Sequence, residues 1–333
     1  MFENGSNYVR CLLIDYSKAF DTVNHTLLIK ELSSLGLPRP IFLLIANFLE
    51  GRTQAFKIGD LLSAYLEITR SIVQGSGLGP YLYIALARRM KTISILNKLF
   101  KFADDVSLLV PQCTDCPIDV ELENVENWSK STKLILNTKK TKEIIFYKSK
   151  IAKHKFNIEK LGTIERIEET TLLGVIFNSD LSWFPHVRHI LSQITQRYYL
   201  LVQLKNMAIE KSMLNQIFQS LIISRIRYAI EAISGNLNNS DIDMIDSVLR
   251  KAQRWGISSV AYSYRDIAFE ADSNLVKKMV NNPQHVLHSM VPEIKSNNRY
   301  ELRNNNKSYK VDLIIYSKLR NSFIYRNFGH DKQ

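Results

Sequence analysis

Residues 98–110 read KLFKFADDVSLLV, and they place two adjacent carboxylates, Asp104 and Asp105, between two short apolar runs. Runs of this kind predict two buried strands joined by a hairpin turn. The turn would hold both carboxylates at the edge of a sheet. Aspartate is also common in ordinary surface turns, so the pair indicates a functional site only if a third carboxylate joins it.

A third carboxylate follows an apolar run near the start of the chain. Residues 11–14 read CLLI and end at Asp15, which is typical of a buried strand with an acid at the mouth of a sheet. If the two strands are neighbours, Asp15 meets Asp104 and Asp105. Clustered carboxylates repel each other and need positive compensation. Oxygen clusters suit Mg²⁺, and paired Mg²⁺ ions serve phosphoryl or nucleotidyl transfer.

Composition points to a globular protein with a polyanionic partner. The chain has 333 residues, is 45% hydrophobic and carries a net charge of +12. Nucleic acid is the first partner that such a charge suggests, and a merely basic soluble protein is the alternative. Residues 130–155 hold nine lysines and a single acid, Glu143. The three cysteines make no disulfide framework and are interpreted as free thiols in a reducing, intracellular compartment. No apolar run is long enough to span a bilayer, so no membrane contact is expected.

Strands alternate with helices in the first half, and amphipathic helices fill much of the second. This order predicts an α+β fold. Residues 297–308 are polar, basic and rich in asparagine, which indicates a loop or linker. The predicted helices cover 24–35, 40–49, 80–96 and 120–136, the predicted strands cover 142–147 and 171–177, and a hairpin joins 53–58 to 64–69.

Three segments occur in the order of a known family. Residues 12–28 (LLIDYSKAFDTVNHTLL), 73–80 (VQGSGLGP) and 102–105 (FADD) resemble motifs A, B and C of the reverse transcriptases of non-LTR retrotransposons, the LINE and jockey-like group. The resemblance implies a polymerase palm, with a mixed or antiparallel sheet and helices, followed by an all-helical thumb-like subdomain. The expected regions are a palm with motifs A to E (1–180), a helical thumb-like region (181–260) and a C-terminal helical or linker region (261–333).

The resemblance also implies a chemistry. It is RNA-directed DNA polymerisation, in which Asp15, Asp104 and Asp105 act as catalytic residues and hold Mg²⁺, with Mn²⁺ as an alternative ion. The implied partners are an RNA template, a DNA primer, the RNA/DNA hybrid and dNTPs. A nuclear or cytoplasmic location goes with this function, whereas the oligomeric state stays open.

Three residues match the family's positions around the incoming nucleotide. Phe20 lies at the sugar-gate position, where a flat ring excludes a 2′-hydroxyl, although a phenylalanine on its own is more often part of a core. Gln74 and Gly75 occupy the motif B positions beside the nascent base pair. Asp21, next to Phe20, is interpreted as a turn or capping residue.

Three more residues match positions near the leaving group and the primer. Lys140 lies where motif D ends and is the candidate cation near the leaving pyrophosphate, with a solvated run of charges as the alternative. Leu173 and Gly174 match the short hairpin that grips the primer.

Two alternatives to an active reverse transcriptase stay open. One is a catalytically inactive retrotransposon remnant that only binds nucleic acid, and the other is an RNA-dependent RNA polymerase. The FADD form and the aromatic gate favour a reverse transcriptase over an RNA polymerase. Only fourteen residues precede Asp15, so the expectation is an N-terminally truncated fragment that lacks most of the fingers.

Overall fold

The computed structural model describes residues 1–294, 309–311 and 314–329. The loop or linker predicted over 297–308 lies outside these residues. The chain divides into two compact units, Met1–Glu168 and Glu169–Gln333, and each is described by itself. The finer division into palm, thumb-like and C-terminal regions stays a prediction.

The first unit combines short helices with a sheet, as the α+β prediction requires. Its elements are β1 (Tyr8–Ile14), α1 (Ala19–Thr22), α2 (His25–Ser33), α3 (Arg39–Leu49), β2 (Thr53–Gln54), β3 (Lys57–Ile58), β4 (Leu61–Leu62), β5 (Leu66–Glu67), α4 (Gly79–Ala87), β6 (Lys98–Phe102), β7 (Asp105–Pro111), α5 (Ile118–Thr132), β8 (Lys142–Tyr147), α6 (Lys150–Lys155) and β9 (Glu165–Ile167).

The main sheet has β1 at its centre. The strand order is β6-β7-β1-β8-β9, with β1 antiparallel to both neighbours and only the β8–β9 pair parallel. Leu12 of β1 and Leu108 of β7 are paired and fully buried. They share a core with Leu28 of α2, Leu82 of α4 and Val125 of α5. Burial of such side chains contributes roughly 1.5–3 kcal/mol each, which ties these helices to the sheet.

The helix predicted over 80–96 is wrong in its C-terminal half. It ends at Ala87, and irregular chain follows up to β6. The buried carboxylate of Glu121 on α5 accepts hydrogen bonds from the backbone N–H groups of Ile93 and Ser94, at 3.0 and 3.1 Å. These N–H groups are therefore paired with a side chain instead of with a helical carbonyl.

Two other predicted elements differ in the structure, one in where it ends and one in its type. The helix predicted over 120–136 ends at Thr132, because Lys133 adopts a left-handed backbone with φ 61°. The strand predicted over 171–177 is a hairpin instead. Leu173 and Gly174, with φ values of 48° and 79°, form its two-residue turn, and positive φ at both positions is what such tight hairpins need.

The predicted hairpin between α3 and α4 is present but weakly paired. Its outer ladder joins β2 to β5 and its inner ladder joins β3 to β4, with two residue pairs in each. The turn consists of Gly59 and Asp60, and Gly59 has a φ of 58°. Short ladders of this kind leave the large apolar side chains of the hairpin exposed, among them Phe56, Ile58, Leu61 and Leu66.

The second unit begins with a hairpin and continues as helices. Every third or fourth residue of its longest helix is buried in the unit's core, which is the pattern of an amphipathic helix. None of the helices in the described part of the chain is long and apolar enough to cross a bilayer. The elements are β10 (Glu169–Leu172), β11 (Val175–Asn178), α7 (Phe184–Asn206), α8 (Lys211–Phe218), α9 (Ser224–Arg227), α10 (Ile230–Ile233), α11 (Asn239–Arg254), α12 (Tyr264–Asn281), α13 (Ser317–Arg320) and α14 (Phe323–Phe328).

Candidate active site

The central strand brings Asp15 beside the Asp pair. The antiparallel register of β1 and β7 places Ile14 opposite Val106. Asp15 directly follows Ile14 and Asp105 directly precedes Val106, and the charge of Asp15 acts on the Asp105 carboxyl, raising its pKa. An antiparallel pair holds opposite residues only about 4.5–5.5 Å apart at the Cα atoms, so the two carboxylates belong to one edge of the sheet.

The third carboxylate lies in the adjoining turn. Phe102 of β6 pairs with Asp105 of β7, which leaves Ala103 and Asp104 as a two-residue turn. Ala103 has a left-handed φ of 51°, which this tight reversal requires. The hairpin predicted from residues 98–110 is therefore present, and its turn carries Asp104. The predicted burial holds for β7 but is wrong for β6, an edge strand that leaves Phe100 and Phe102 exposed.

Charge repulsion links the three carboxylates. Burial first, and then the charges of Asp104 and Asp15, raise the pKa of Asp105 above its ordinary value. Oδ2 of Asp15 is buried and has no hydrogen-bond partner among the described residues. A buried carboxylate oxygen without a donor costs free energy, so this oxygen suits a cation. No three Asp, Glu, His or Cys side chains in the described ranges form a ready-made metal cage.

The lysine-bearing segment is bonded to the backbone of the same aspartate. The N–H of Asn137 donates to the carbonyl of Asp15 at 2.8 Å, and the N–H of Asp15 donates to the hydroxyl of Thr141 at 3.3 Å. Lys139 and Lys140 lie between these two anchors and are exposed. The segment therefore carries two cations at the end of β1 where the carboxylates lie.

Phe20 is a partly buried residue of the core beside this edge. Its ring stacks on Tyr83 of α4, with centroids 4.9 Å apart and planes 19° from parallel. Burial, followed by the charges of Tyr16 and Asp104, raises the pKa of Tyr83 above its ordinary value. The stacked pair thus lies within electrostatic reach of the carboxylate edge, and Phe20 serves the core in addition to any role as a gate.

Gln74 is held by a side chain that sequence reasoning assigned to a turn. Its Nε2 donates to Oδ1 of Asp21 at 3.0 Å, and Gly75 follows with a left-handed φ of 82°. A cavity of about 470 Å³ opens here, lined by Asp21, Gln74 and neighbouring residues that include Arg52. Phe20 is absent from the described residues that line it, but its carbonyl accepts from the N–H of Ile72 at 2.9 Å.

Leu173 and Gly174 lie in the second unit, at the turn between β10 and β11. The hydroxyl of Tyr228 donates to the carbonyl of Leu173 at 2.6 Å. The Tyr228 ring also lies 3.4 Å from the place where a Cβ on Gly174 would stand. Leu173 is therefore the bulky residue of the turn, and Gly174 stands where the Tyr228 ring approaches. These two residues were predicted as a primer grip, and that role stays a prediction.

The sequence did not predict two polar contacts near the candidate site, that of Thr141 with Asp15 and that of Asp21 with Gln74. Thr141 is fully buried and was passed over as part of a charged stretch, although a threonine before a strand of apolar character is a signal for a capped turn. The sequence indicates only a turn or capping role for Asp21, because its partner Gln74 is distant in the sequence. Neither contact has a short-range pattern that would reveal it.

Comparison with known proteins gives the family. The family profile "Reverse transcriptase (RNA-dependent DNA polymerase)" matches residues 2–177. The RNA-directed DNA polymerase of transposon X-element from Drosophila melanogaster is 24% identical over 263 residues, which is 75% of this chain and 28% of that protein. The polymerase of mobile element jockey from Drosophila funebris is 24% identical over 241 residues, or 67% of this chain and 26% of that protein.

A solved structure of telomerase from Candida tropicalis, in complex with a fragment of telomeric RNA, matches with a TM-score of 0.41 and 12% identity. It covers 86% of this chain and 49% of that chain. The chain spans about three tenths of the length of the curated transposon proteins. Because the family profile covers 176 of the chain's 333 residues, the chain belongs to the reverse transcriptase (RNA-dependent DNA polymerase) family, and its jockey-like resemblance is supported by these relatives.

Proposed function

We propose that this chain carries out RNA-directed DNA synthesis, adding dNTPs to the 3′-hydroxyl of a DNA primer paired with an RNA template. The observation that supports the proposal is the position of Asp15 directly after β1, next to the strand that Asp105 begins, with the charges of Asp15 and Asp104 both acting on Asp105. In a nucleotidyl transfer the chain has little covalent chemistry to perform, and catalysis rests on positioning and on neutralising charge.

The donor set at this edge fits Mg²⁺. Carboxylate oxygens are the ligands that Mg²⁺ prefers, and the buried Oδ2 of Asp15 has no donor among the described residues. Protein sites for Mg²⁺ commonly supply one or two carboxylates, and substrate phosphates and water complete the shell. A complete protein cage is therefore not required. Asp15, Asp104 and Asp105 would hold the ions, which supply Lewis-acid charge at the reacting phosphate when bound.

The chain's other residues would position the substrates. Phe20, supported by the Tyr83 ring, would close the space beside the 2′ carbon of the sugar. Gln74, oriented by Asp21, would offer its amide oxygen to the nascent pair. Lys140, whose side chain is long and exposed, would meet the negative charge of the pyrophosphate.

A second candidate function is nucleic-acid binding without synthesis. The net charge of +12 and the nine lysines in 130–155 favour it, because phosphate contacts give affinity without reading sequence. The carboxylate edge separates the two candidates. Pure binding has no need of three acids that repel the nucleic acid backbone.

Primer extension separates them experimentally. The purified chain is given an RNA template with an annealed DNA primer, dNTPs and Mg²⁺, and is compared with Asp104→Asn and with the control Asp60→Asn, which changes the exposed hairpin turn. Any extension by the chain should persist in Asp60→Asn and fall by at least about 10²-fold in Asp104→Asn. Hybrid binding without extension in all three would establish the binding function instead.

A further inference from the structure

Residues 137–141 form one tight turn between α5 and β8. The N–H groups of Lys140 and Thr141 both donate to the carbonyl of Asn137, at 3.1 and 2.9 Å. The side-chain oxygen of Asn137 accepts a second bond from the N–H of Lys140 at 3.2 Å. Asparagine caps turns in this way because its side chain mimics a backbone carbonyl. The N–H of Lys140 is therefore shared between the backbone and side-chain oxygens of Asn137, which hold the Lys140 backbone in the turn.

The same turn holds both backbone polar groups of Asp15. The Asp15 carbonyl accepts from the N–H of Asn137 at 2.8 Å. The Asp15 N–H donates to the Thr141 hydroxyl at 3.3 Å. The same hydroxyl donates a hydrogen bond to the carbonyl of Asn137 at 2.9 Å. The Thr141 hydroxyl thus joins the candidate metal ligand to the lysine-bearing turn.

Sheet pairing explains why a side chain is needed at this point. The β1–β8 ladder pairs Leu13 with Lys142 and ends there. Pairing resumes only as a single bridge between Tyr16 and Leu136. The chain opposite Asp15 loops away as the lysine turn, so no strand backbone is available to satisfy the Asp15 N–H, and the Thr141 hydroxyl takes that place.

Burial assigns the threonine and the lysine different tasks. Thr141 is 0% exposed, so its hydroxyl does not meet a substrate. Lys140 is exposed and its ammonium is free to move on a flexible stem. A long side chain reaches a defined point only if its backbone is held, and supporting hydrogen bonds provide this restraint.

We propose that Thr141 is a positioning residue that fixes the Lys140 turn to the backbone of Asp15, so that the lysine ammonium meets the pyrophosphate end of the bound nucleotide. The assignment rests on the proposed function and deepens it. It also explains how a metal ligand and a phosphate-binding cation keep a constant separation, because a single buried hydroxyl connects their backbones.

Inorganic pyrophosphate with Mg²⁺ is the probe, and its affinity is measured by calorimetric titration of the full chain. The variants are Thr141→Val, which keeps the shape but removes the hydroxyl, Thr141→Ser, which retains it, Lys140→Ala, and the Thr141→Val/Lys140→Ala double variant. Lys30→Ala, on the exposed face of α2, controls for the loss of one positive charge.

We expect Thr141→Val to weaken pyrophosphate binding about fivefold, the effect of one lost hydrogen bond, and Thr141→Ser and Lys30→Ala to bind as the unaltered chain does. The double variant should bind no more weakly than Lys140→Ala alone, because the threonine acts through the lysine. Hydrogen exchange at the Asp15 amide should become faster in Thr141→Val. These readouts would not follow from a general loss of stability.

Additive effects of the two substitutions, unchanged binding in Thr141→Val or Lys140→Ala, or no Mg²⁺-dependent pyrophosphate binding by the unaltered chain would each overturn the proposal. If Thr141→Val fails to fold, Asn137→Ala replaces it. This variant removes only the side-chain bond to the Lys140 N–H, and it should weaken binding about two- to threefold. Primer extension and its loss in Asp104→Asn report separately on the proposed function.

Discussion

Two clusters of charge lie on the same sheet and are treated in opposite ways. On β8, the side chain of Glu143 is fully buried between Arg10 of β1 and Arg166 of β9, with N···O distances of 2.5 and 2.8 Å. The Arg166 guanidinium also donates to the carbonyls of Ile158 and Glu159. Every charge in this cluster meets an opposite charge or a carbonyl of the chain itself.

The carboxylate edge lacks such compensation. Asp15, Asp104 and Asp105 come together without a salt bridge to any of them among the described residues. Burial is the main cause of the raised pKa of Asp105, and the repulsion by Asp104 and Asp15 is the second cause. The difference teaches which cluster serves the fold and which serves a ligand. A paired charge holds three strands together, whereas unpaired like charges reduce stability until a cation joins them.

Removing Glu143 should have the largest effect on stability. Glu143→Ala leaves two arginines partly buried without their anion, and removal of one partner of a buried pair typically costs about 3–5 kcal/mol. Chemical denaturation measures this loss. The matched control is Glu165→Ala, whose pair with Lys142 is exposed and should contribute less than about 1 kcal/mol. Equal losses in both variants would contradict a special role for the Glu143 cluster.

Adding Mg²⁺ should stabilise the carboxylate edge. At a hundred times its Kd, one bound ion raises the free energy of unfolding by about 2.7 kcal/mol. Thermal unfolding with Mg²⁺ and then with excess EDTA measures the gain and its reversal. Asp104→Asn should lose the gain, and Asp60→Asn, in the exposed turn between β3 and β4, should keep it. A Mg²⁺ effect that survives in Asp104→Asn would place the ion elsewhere.

Without divalent cations, Asp104→Asn should stabilise the chain. It removes one of three like charges at an exposed turn, and at such a site the repulsion relieved is below about 1 kcal/mol. The free energy of unfolding in EDTA tests the sign. A lower free energy of unfolding in Glu143→Ala and a higher one in Asp104→Asn would support the different roles of the two clusters. A lower value in both variants would contradict them.

The smallest effect concerns pH in the metal-free chain. The pKa of Asp105 is raised on folding, chiefly by burial, so the folded state binds its proton more tightly than the unfolded state does. Its contribution to stability is complete below the ordinary carboxyl pKa and is lost as the pH rises through the raised value. The free energy of unfolding of the chain, minus that of Asp105→Asn, should therefore decline as the pH rises through this window. A difference that grows with pH would reverse the assignment.

The carboxylate edge was accessible from the sequence because its strands are strongly patterned. The CLLI run before Asp15 and the apolar runs around Asp104 and Asp105 define short strands, and their antiparallel pairing follows in the structure. Apolar character alone did not reveal that β6 is an exposed edge strand. The roles of these residues and of Phe20, Gln74 and Lys140 stay predictions. Family motifs supplied them, and geometry alone does not assign them.

Long-range polar contacts escaped the sequence because they have no period. Glu143 looked like a single acid among lysines, although its partners are Arg10 and Arg166, one far upstream and the other beyond a loop. The helix predicted over 80–96 failed for the same reason. The carboxylate of Glu121, from a helix that follows later in the chain, binds the backbone N–H groups that would have continued it.

The central position of β1 has a consequence for how this protein is made. The strand is synthesised before both of its neighbours, and its two edges wait for β7 and β8, which begin at Asp105 and Lys142. Until then β1 has unpaired N–H and C=O groups on two sides, a known template for wrong pairing with other chains. Pairings between residues so distant in sequence also slow folding. A ribosome-bound chain that stops short of residue 147 should therefore expose an aggregation-prone strand, which chaperone binding would protect.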